Sequence, residues 1–395
     1  MKTAIVNGTL LTPFRSVENA GLLLEGGKIL ELFEGKHPVQ AERTIDAKGA
    51  FVSPGFIDIH THGGGGFDYL DGTPEAIEGA GKFHMQHGST AICPTISAAV
   101  DKEMFAVLDA YKQVKRSMKG GPDFIGVHLE GPYFAPEEKG AQDPRFIRNP
   151  APDHYLKFLN YSDDIVRWSS APELPGALEL ADELSRRGIV CAIGHSAATY
   201  QQVLPAFERG YTHVTHLYSG CSLLRRINAF RYMGVVDSAF AIDNMTVEII
   251  ADCRHLPTEL LKLITKLKPW DKISLITDSV RCAGMPEGST QYTGSKENGK
   301  PVLIEDGVAK LPDRSAFAGS ITTTDRLVRN MNREAGIPLL DAVRMMTYNP
   351  ASVMRIQNKK GILAPGKDAD LCIFDNDVNI KTVFVQGEIT AGNPQ

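Results

Sequence analysis

The stretch Phe56-Ile57-Asp58-Ile59-His60-Thr61-His62 is an apolar run that ends in two histidines, and four glycines follow it at 63–66. Residues two apart in a β-strand point to the same face, so the two imidazoles leave the strand on one side. Glycines after a strand allow positive φ angles, which suit a backbone that wraps closely around a site. The stretch therefore predicts a buried strand with paired imidazoles at its carboxyl end.

Seven further apolar runs follow this strand, and helical patterns separate most of them. Strands that alternate with helices indicate parallel pairing through βαβ units. The predicted strands lie near 56–59, 91–94, 124–129, 165–168, 189–193, 213–217, 247–251 and 273–277, and the predicted helices near 74–87, 102–116, 176–187, 200–209 and 258–266. Eight strands predict an α/β fold with a TIM-like (β/α)8 barrel over residues 51–355, although no clear helical pattern joins the sixth strand to the seventh.

Both ends of the chain are rich in strand patterns. They cover 3–7, 20–25 and 28–33 at the start, where Gly26-Gly27 forms a hairpin turn, and 370–374 and 382–385 at the end. Neither end has enough strands to be stable alone. We therefore expect residues 1–50 and 356–395 to pair into one small β-sandwich domain.

The composition narrows the classes of function. A formal net charge of −5, from 42 basic and 47 acidic residues, favours neither nucleic acid nor an anionic membrane as a partner. No run is long and apolar enough to span a bilayer, and the first residues lack the pattern of a signal peptide. The six cysteines are scattered without a Cys-x-x-Cys pair. This distribution predicts reduced thiols in a cytoplasmic protein.

Ligand-type residues end several of the apolar runs, and a (β/α)8 barrel places its active site at the carboxyl ends of its strands. Besides His60 and His62, the residues of this kind are Glu130, His195, His216 and Asp278. A carboxylate at a buried strand end is unfavourable unless it is paired or bound to a metal. Imidazoles and carboxylates together suit zinc, iron or another borderline divalent ion. The pattern predicts a metal site at this rim.

Four other histidines have a different interpretation. His84 and His87 lie on a predicted helix outside the barrel, and His213 lies early in its strand, at the end away from the site. We expect these three to be structural. His128 precedes Glu130 by two residues and faces the same way one layer deeper, where it could support a ligand.

These motifs resemble the N-acetylglucosamine-6-phosphate deacetylase family of the amidohydrolase superfamily. The similarity covers nearly the whole chain, from Pro-Gly-Phe-Ile-Asp-Ile-His-Thr-His-Gly at 54–63 to Pro-Gly-Lys-Asp-Ala-Asp at 365–370. The string His-Leu-Glu-Gly-Pro at 128–132 is the most specific for the deacetylases. The last string is common to many amidohydrolases and indicates only the superfamily.

The resemblance implies hydrolysis of the acetamide of N-acetylglucosamine 6-phosphate, which gives acetate and the amino sugar phosphate in amino sugar catabolism. It implies that Glu130, His195 and His216 bind a metal ion shared by all members. Asp278 matches the catalytic aspartate and is a further ligand. Some members lack the His-x-His pair and keep one metal ion. This chain has the pair, so it resembles the members with two divalent ions, zinc or iron, with Glu130 as the bridge.

The resemblance also concerns the substrate. His255 and Arg231 match positions that contact the substrate and its phosphate, and the family's arginine comes from the neighbouring subunit, which implies a homodimer. This chain departs from the family where Ser219-Gly220 replaces the usual Asn-Ala, and extra residues follow at 221–228. It departs again at Gln142, where many members have a histidine that polarises the carbonyl. A glutamine can still donate one hydrogen bond, but it cannot be cationic.

Several alternatives remain open. The departures at Ser219-Gly220 leave room for N-acetylgalactosamine 6-phosphate or for an unphosphorylated N-acetyl sugar as substrate. A cyclic amidohydrolase typically carries a carboxylated lysine at the end of the fourth strand, where residues 166–171 contain no lysine. A non-catalytic barrel scaffold would usually have lost ligands, and all six expected ligands are present here.

Overall fold

Eight parallel strands form a barrel in the computed structural model, which describes residues 1–35 and 40–392. Barrel strands that follow one another along the chain are neighbours in the sheet. In chain order the barrel strands are Phe56–Thr61, Ser89–Ile96, Val127–Glu130, Ile165–Ser170, Val190–Ile193, Tyr211–Val214, Thr246–Ile249 and Ile273–Leu275. Each predicted strand overlaps one of them, and the predicted α/β barrel is confirmed.

The barrel closes between its eighth and first strands, and Asp58 is the centre of that closure. Its carboxylate accepts a hydrogen bond from the Thr277 hydroxyl at 2.6 Å and another from the His60 amide at 3.3 Å. The Asp278 amide donates to the His60 carbonyl at 2.9 Å. These contacts hold the end of the eighth strand beside the two histidines of the first strand.

An α-helix follows every barrel strand, and the five predicted helices are all present. The helices are Pro74–Gln86, Asp101–Ser117, Pro152–Tyr161, Ala177–Arg186, Tyr200–Glu208, Val235–Ala241, Thr258–Leu267, Thr324–Arg333, Leu339–Met346 and Tyr348–Val353, with 3-10 turns at Tyr69–Asp71, Pro136–Glu138 and Trp270–Lys272. The helix Val235–Ala241 joins the sixth strand to the seventh, where no helix was expected. It is only seven residues long and begins with two valines, which favour strands.

Local signals set the starts of some helices. The Thr73 hydroxyl accepts a hydrogen bond from the Ala76 amide at 3.2 Å, and Pro74 occupies the first turn. The Gln202 side chain accepts from the Thr199 amide at 2.9 Å at the start of the fifth helix. Such caps satisfy amide groups that have no partner within the helix.

Both ends of the chain contribute strands to one sheet, so the β-rich unit predicted from the two termini is present. Its strands are Thr3–Leu11, Ser16–Glu25, Lys28–Glu34, Arg43–Asp46, Phe51–Pro54, Leu371–Phe374, Ile380–Val385 and Glu388–Gly392. The strand Leu371–Phe374 pairs antiparallel with Phe51–Pro54, which pairs parallel with Thr3–Leu11. The sheet packs around its own apolar cluster, which includes Ile5, Leu22 and Phe384.

Smaller elements decorate the carboxyl end of the barrel. A three-stranded sheet is formed by Thr290–Thr293, Lys300–Glu305 and Val308–Lys310, a hairpin by Arg225–Ile227 and Phe230–Tyr232, and a short strand pair by Gly63–Gly64 and Phe67–Asp68. The two-residue strand Asp123–Phe124 instead precedes the third barrel strand and pairs with the first half of the second. All six cysteines are free thiols. Within residues 1–35 and 40–392, none of the helices has the length and apolar composition that crossing a bilayer requires.

Lys360 is a buried ion-pair partner between the terminal sheet and the barrel. Its Nζ lies 2.5 Å from Asp370 and 3.0 Å from Asp368, which precede a strand of the terminal sheet. It also lies 2.8 Å from Asp123, beside the second barrel strand. The lysine side chain is only 5% exposed, so removing it would leave Asp370 as an uncompensated buried charge.

We therefore expect Lys360→Met to lower the free energy of unfolding by about 3–5 kcal/mol, the usual effect of breaking a buried ion pair. Urea unfolding followed by circular dichroism would measure the change. Lys82→Met is the matched control, because Lys82 forms an exposed pair with Glu78 within one helix and its loss should change little. Equal unfolding midpoints for the two variants would contradict the role of Lys360.

Candidate metal centre and substrate cavity

Four histidines and two carboxylates meet at the carboxyl end of the barrel. They come from the ends of the first, third, fifth, sixth and eighth strands, and all six are buried: His60, His62, Glu130, His195, His216 and Asp278. These are the six residues predicted as ligands from the sequence. The parallel strands bring them together because all their carboxyl ends lie at one rim.

Glu130 lies at the centre of the cluster. Its Oε1 atom is 2.9 Å from His216 Nε2, 3.3 Å from His195 Nε2 and 3.5 Å from His60 Nε2. Its Oε2 atom is 3.4 Å from His62 Nε2. One carboxylate is therefore within reach of all four imidazoles, as a ligand that bridges two ions would have to be.

Asp278 approaches the cluster from the side of the first strand. Its Oδ1 atom is 3.1 Å from His62 Nε2 and 3.4 Å from His60 Nε2. Two groups of three residues have ligand atoms that all lie within 4.8 Å of one another inside the group. One group is His60, Glu130 and His216, and the other is His60, His62 and Asp278. These six side chains have the donor chemistry for zinc or iron.

The outer nitrogens of two imidazoles show which ring nitrogen is free to bind a metal. His195 Nδ1 donates to the Glu138 carbonyl at 2.8 Å, and His216 Nδ1 donates to the Ser219 carbonyl at 2.9 Å. Because a carbonyl oxygen only accepts, the proton must lie on Nδ1 in both neutral rings. Each Nε2 atom then presents a lone pair to the cluster, which is the tautomer that a metal ligand needs.

The protonation states of the cluster are mixed when no ion is bound. Burial opposes the charge of Glu130, but hydrogen bonds with His195 and His216 hold the pKa of its carboxyl well below the usual range. Burial likewise opposes the charge of Asp278, whose pKa is nevertheless lowered by the rings of His60 and His62. Burial lowers the pKa of His60. Burial also opposes the charge of His62, but the hydrogen bond with Asp278 and the charge of Glu130 raise its pKa to about 9. Burial is likewise outweighed at His216, where hydrogen bonds with Cys221 and Glu130 raise the pKa well above the usual range. Ionised carboxylates and neutral imidazoles are the forms that bind metal ions, so binding of an ion would release protons from His62 and His216.

Three residues of the cluster have left-handed backbone conformations. The φ angles are 49° at His195, 29° at His216 and 47° at Asp278. Residues other than glycine rarely adopt positive φ, and such strained positions concentrate at functional sites. Each of these residues stands just after a barrel strand, where the turn of the backbone aims its side chain at the cluster instead of along the strand.

A layer of buried polar residues lies beneath the cluster. His60 Nδ1 is 3.3 Å from Glu248 Oε2, and Glu248 is paired with Arg167 in the barrel interior. His213 Nε2 lies 3.2 Å from Glu248 Oε1, so this histidine faces the layer under the site instead of being remote from it. His128 hydrogen-bonds there to the hydroxyl of Ser169 at 2.7 Å.

Sequence reasoning missed Glu248 and Arg167. Both stand within short apolar strands, at Val-Glu-Ile and Val-Arg-Trp, and both are completely buried. A charge inside an apolar strand is a signal that could have identified them, since such a residue needs a buried partner. The sequence does not show that the two are partners, because they lie 81 residues apart.

A cavity of about 300 Å³ opens above the cluster. Its wall includes four of the residues predicted to bind substrate: Gln142, Ser219, Gly220 and His255. Gln142 donates its amide to Glu130 Oε2 at 2.8 Å, so it reaches the ligand cluster directly. His255 Nδ1 contacts Asp252 Oδ2 at 2.7 Å, which fixes the orientation of the ring and leaves Nε2 for another partner.

Local packing explains the glycine at position 220. Its φ angle is 54°, a value that favours glycine. A Cβ atom there would lie 2.7 Å from His195 Nδ1 and 2.9 Å from the Glu138 carbonyl. An alanine at this position would therefore displace the hydrogen bond that orients His195.

Arg231 occupies a different place from the other predicted substrate residues. It lies on the exposed hairpin strand Phe230–Tyr232 and contacts the Ala229 carbonyl at 3.4 Å. The residues that line the cavity within the described part of this chain do not include it.

Comparison with known proteins agrees with this site. The model of the amidohydrolase family matches residues 51–390. The chain is 30% identical over 392 residues to an N-acetylglucosamine-6-phosphate deacetylase from Lysinibacillus sphaericus, which covers 98% of this chain and 97% of the relative. It is 31% identical over 343 residues to an N-acetylgalactosamine-6-phosphate deacetylase from Escherichia coli O157:H7. This match covers 86% of this chain and 88% of the relative.

Solved structures show the same similarity. N-acetylglucosamine-6-phosphate deacetylase from Pasteurella multocida superposes with a TM-score of 0.90 at 28% identity, over 98% of this chain and 99% of the other. A mutant of the Mycobacterium smegmatis deacetylase in complex with N-acetyl-D-glucosamine-6-phosphate superposes with a TM-score of 0.89 at 28% identity, over 99% of both chains. The family predicted from the motifs is confirmed: this chain belongs to the N-acetylglucosamine-6-phosphate deacetylase family of amidohydrolases.

Proposed function

We propose that this chain hydrolyses the acetamide of a 6-phosphorylated N-acetylhexosamine to acetate and the amino sugar phosphate, in amino sugar catabolism. The observation that carries the proposal is the cluster of four imidazoles and two carboxylates at the floor of the cavity. N-acetylglucosamine 6-phosphate is the first candidate substrate. The similarity to the Escherichia coli relative makes N-acetylgalactosamine 6-phosphate the second.

Two divalent ions, zinc or iron, fit the ligands. Glu130, His195 and His216 would hold one ion, and His60 and His62 would hold the other, with Glu130 contributing to both. A bound divalent ion polarises the acetyl carbonyl as a Lewis acid and lowers the pKa of a bound water to roughly 7. The protein supplies these ligands in a buried site in which both carboxylates are ionised.

Asp278 is the residue suited to move the proton. Its carboxylate lies at the ligand cluster, lines the cavity and has a lowered pKa, so it is available as a base. It takes a proton from the attacking water and delivers it to the amine nitrogen as the C–N bond breaks. The water oxygen becomes part of acetate, and the amino sugar leaves with the added proton.

Gln142 and His255 orient the substrate in this proposal. The Gln142 amide reaches the cluster and can donate a hydrogen bond to the acetyl carbonyl in place of the histidine found in many family members. His255 is held by Asp252 at the cavity wall and contacts the phosphate side of the substrate. Ser219 contributes a hydroxyl to the same wall, beside Gly220.

The exposed hairpin supports a homodimer in which Arg231 reaches the neighbouring cavity. Phe230 is 70% exposed, and Leu223, Leu224 and Ile227 are 53%, 56% and 40% exposed. Large apolar side chains grouped on one surface are typical of an interface. The six free thiols support a cytoplasmic location.

Measurement of acetate release tests the proposed activity. The panel consists of N-acetylglucosamine and N-acetylgalactosamine, each with and without a 6-phosphate, together with a cyclic amide. We expect turnover of at least one phosphorylated N-acetyl sugar and none of the cyclic amide. Failure to release acetate from every sugar, in protein loaded with zinc or iron, would overturn the proposal.

The first prediction from the proposed function concerns the number of metal ions. Wild-type protein purified without chelator should contain two ions per chain, and His60→Ala about one, because more ligands are present than one tetrahedral ion needs. Elemental analysis measures both values. His87→Ala is the matched control, since His87 pairs with Asp325 outside the site and its loss should leave two ions. A wild-type value near one that His60→Ala does not lower would exclude the two-ion site.

The second prediction concerns Asp278. The variant Asp278→Asn should keep the fold and much of the metal but lose about 10²–10⁴-fold in kcat, the usual share of general acid–base catalysis. Steady-state kinetics and elemental analysis of the same preparation measure the two properties together. Near-normal turnover would assign the proton transfer to another group.

The third prediction concerns Arg231. Loss of a charge-assisted contact to phosphate in Arg231→Ala should lower kcat/KM for the phosphorylated sugar by about 10- to 100-fold and leave the plain sugar nearly unchanged. The control is Arg226→Ala, which removes an arginine directly opposite on the same hairpin. If both variants lower kcat/KM for the phosphorylated sugar equally, or if neither does, the assignment of the phosphate contact to Arg231 is wrong. Sedimentation of both variants reports whether the dimer persists.

A further inference from the structure

The ion pair of Arg167 and Glu248 occupies the interior of the barrel beneath the ligand cluster. Both side chains are completely buried, on the fourth and seventh strands. Burial opposes the charge of Glu248, but Arg167 and hydrogen bonds with His213 and His60 hold the pKa of its carboxyl well below the usual range. A buried ion pair of this kind gives little net stability compared with apolar residues of the same size. Its presence therefore calls for a role other than stability.

The contacts of the pair are distributed over two strands that carry predicted ligands. Glu248 Oε2 lies 3.3 Å from His60 Nδ1 and accepts from the His216 amide at 3.4 Å. Arg167 contacts the residues that precede these two ligands: it donates to the Ile59 carbonyl at 3.0 Å and to the Thr215 hydroxyl at 3.0 Å. The pair thus contacts adjacent residues of the first and sixth strands.

We propose that Glu248, held by Arg167, is a positioning residue for the metal site that fixes the Nδ1-protonated tautomer of His60. The proposal rests on the metal-dependent function proposed above. An ionised carboxylate only accepts hydrogen bonds, so it requires the proton of His60 to lie on Nδ1. The Nε2 atom of His60 then faces Glu130 and Asp278 with a free lone pair.

The variant Glu248→Gln tests this arrangement with almost no change in size. One oxygen of Glu248 faces Arg167, and the other faces the Nδ1 atom of His60 and the amide of His216. An arginine and a backbone amide only donate. The NH2 group of a glutamine at position 248 is also a donor. It must therefore face either the donor Arg167 or the donors His60 and His216. If it faces His60, the ring must either lose this contact or move its proton to Nε2, where the proton blocks metal binding.

We expect Glu248→Gln to weaken the binding of the ion at His60 and His62 by about 10- to 100-fold, the usual effect of changing a residue behind a ligand. The ion at Glu130, His195 and His216 should remain. Chelator-treated protein titrated with Co²⁺ measures both affinities, and the visible spectrum of the bound Co²⁺ reports the coordination of each ion. Circular dichroism of the metal-free variant shows whether the fold is intact.

A second variant separates positioning from stability. In Arg167→Met/Glu248→Leu the ion pair is replaced by apolar side chains, so the stability lost in Arg167→Met alone should largely return, while the affinity for the ion at His60 stays low. Lys360→Met is the control for loss of a buried ion pair elsewhere, and it should keep wild-type affinity for both ions.

The outcomes distinguish this inference from the proposed function. Wild-type affinity for two ions in Glu248→Gln would overturn the positioning role and leave the deacetylase proposal standing. Recovery of metal affinity together with stability in the double variant would also overturn it, because the pair would then be structural only. A wild-type protein that binds no Co²⁺ would instead contradict the metal-dependent function itself.

Discussion

The buried carboxylate of Glu130 is the constraint on which the rest of the site depends. It is 1% exposed at the end of a barrel strand, where an isolated charge would be very unfavourable. Four imidazole Nε2 atoms surround it at 2.9 to 3.5 Å. Each ring is held in this orientation because its Nδ1 atom contacts a second group. The surroundings of Glu130 therefore depend also on the two carbonyls, the hydroxyl and the carboxylate that contact the four Nδ1 atoms.

Those outer partners come from different parts of the fold, which explains why the barrel is needed. The carbonyls of Glu138 and Ser219 lie in loops after the third and sixth strands, Ser97 follows the second strand, and Glu248 lies on the seventh. Rigid strands place these groups with little freedom, and preorganised ligands bind a metal without reorganising. The left-handed backbone after three of the strands is part of the same arrangement.

The cavity combines features common to the family with features of this chain. The ligand cluster lies in the segment that the amidohydrolase model matches, and Gly220 lies beside it in the cavity wall. The glycine fits the short distance to His195 and Glu138. The inserted three-stranded sheet adds to the wall of the cavity through Thr293 and Lys300. Substrate preference in this chain is therefore expected to depend on the loops around a common metal centre.

The sequence by itself determined the barrel, the β-rich unit from the two termini and the six ligand-type residues. Apolar runs bounded by helical patterns are local signals of strands. Because the carboxyl ends of barrel strands share one rim, these signals predict that the residues at the strand ends form one site. Tertiary structure alone decided the pairing of Arg167 with Glu248, the inward position of His213 and the contact of Gln142 with Glu130. The short helix Val235–Ala241 also lacked a local signal. Such pairings depend on which side chains meet across the barrel, and residues far apart in the chain carry no local pattern that records their contact.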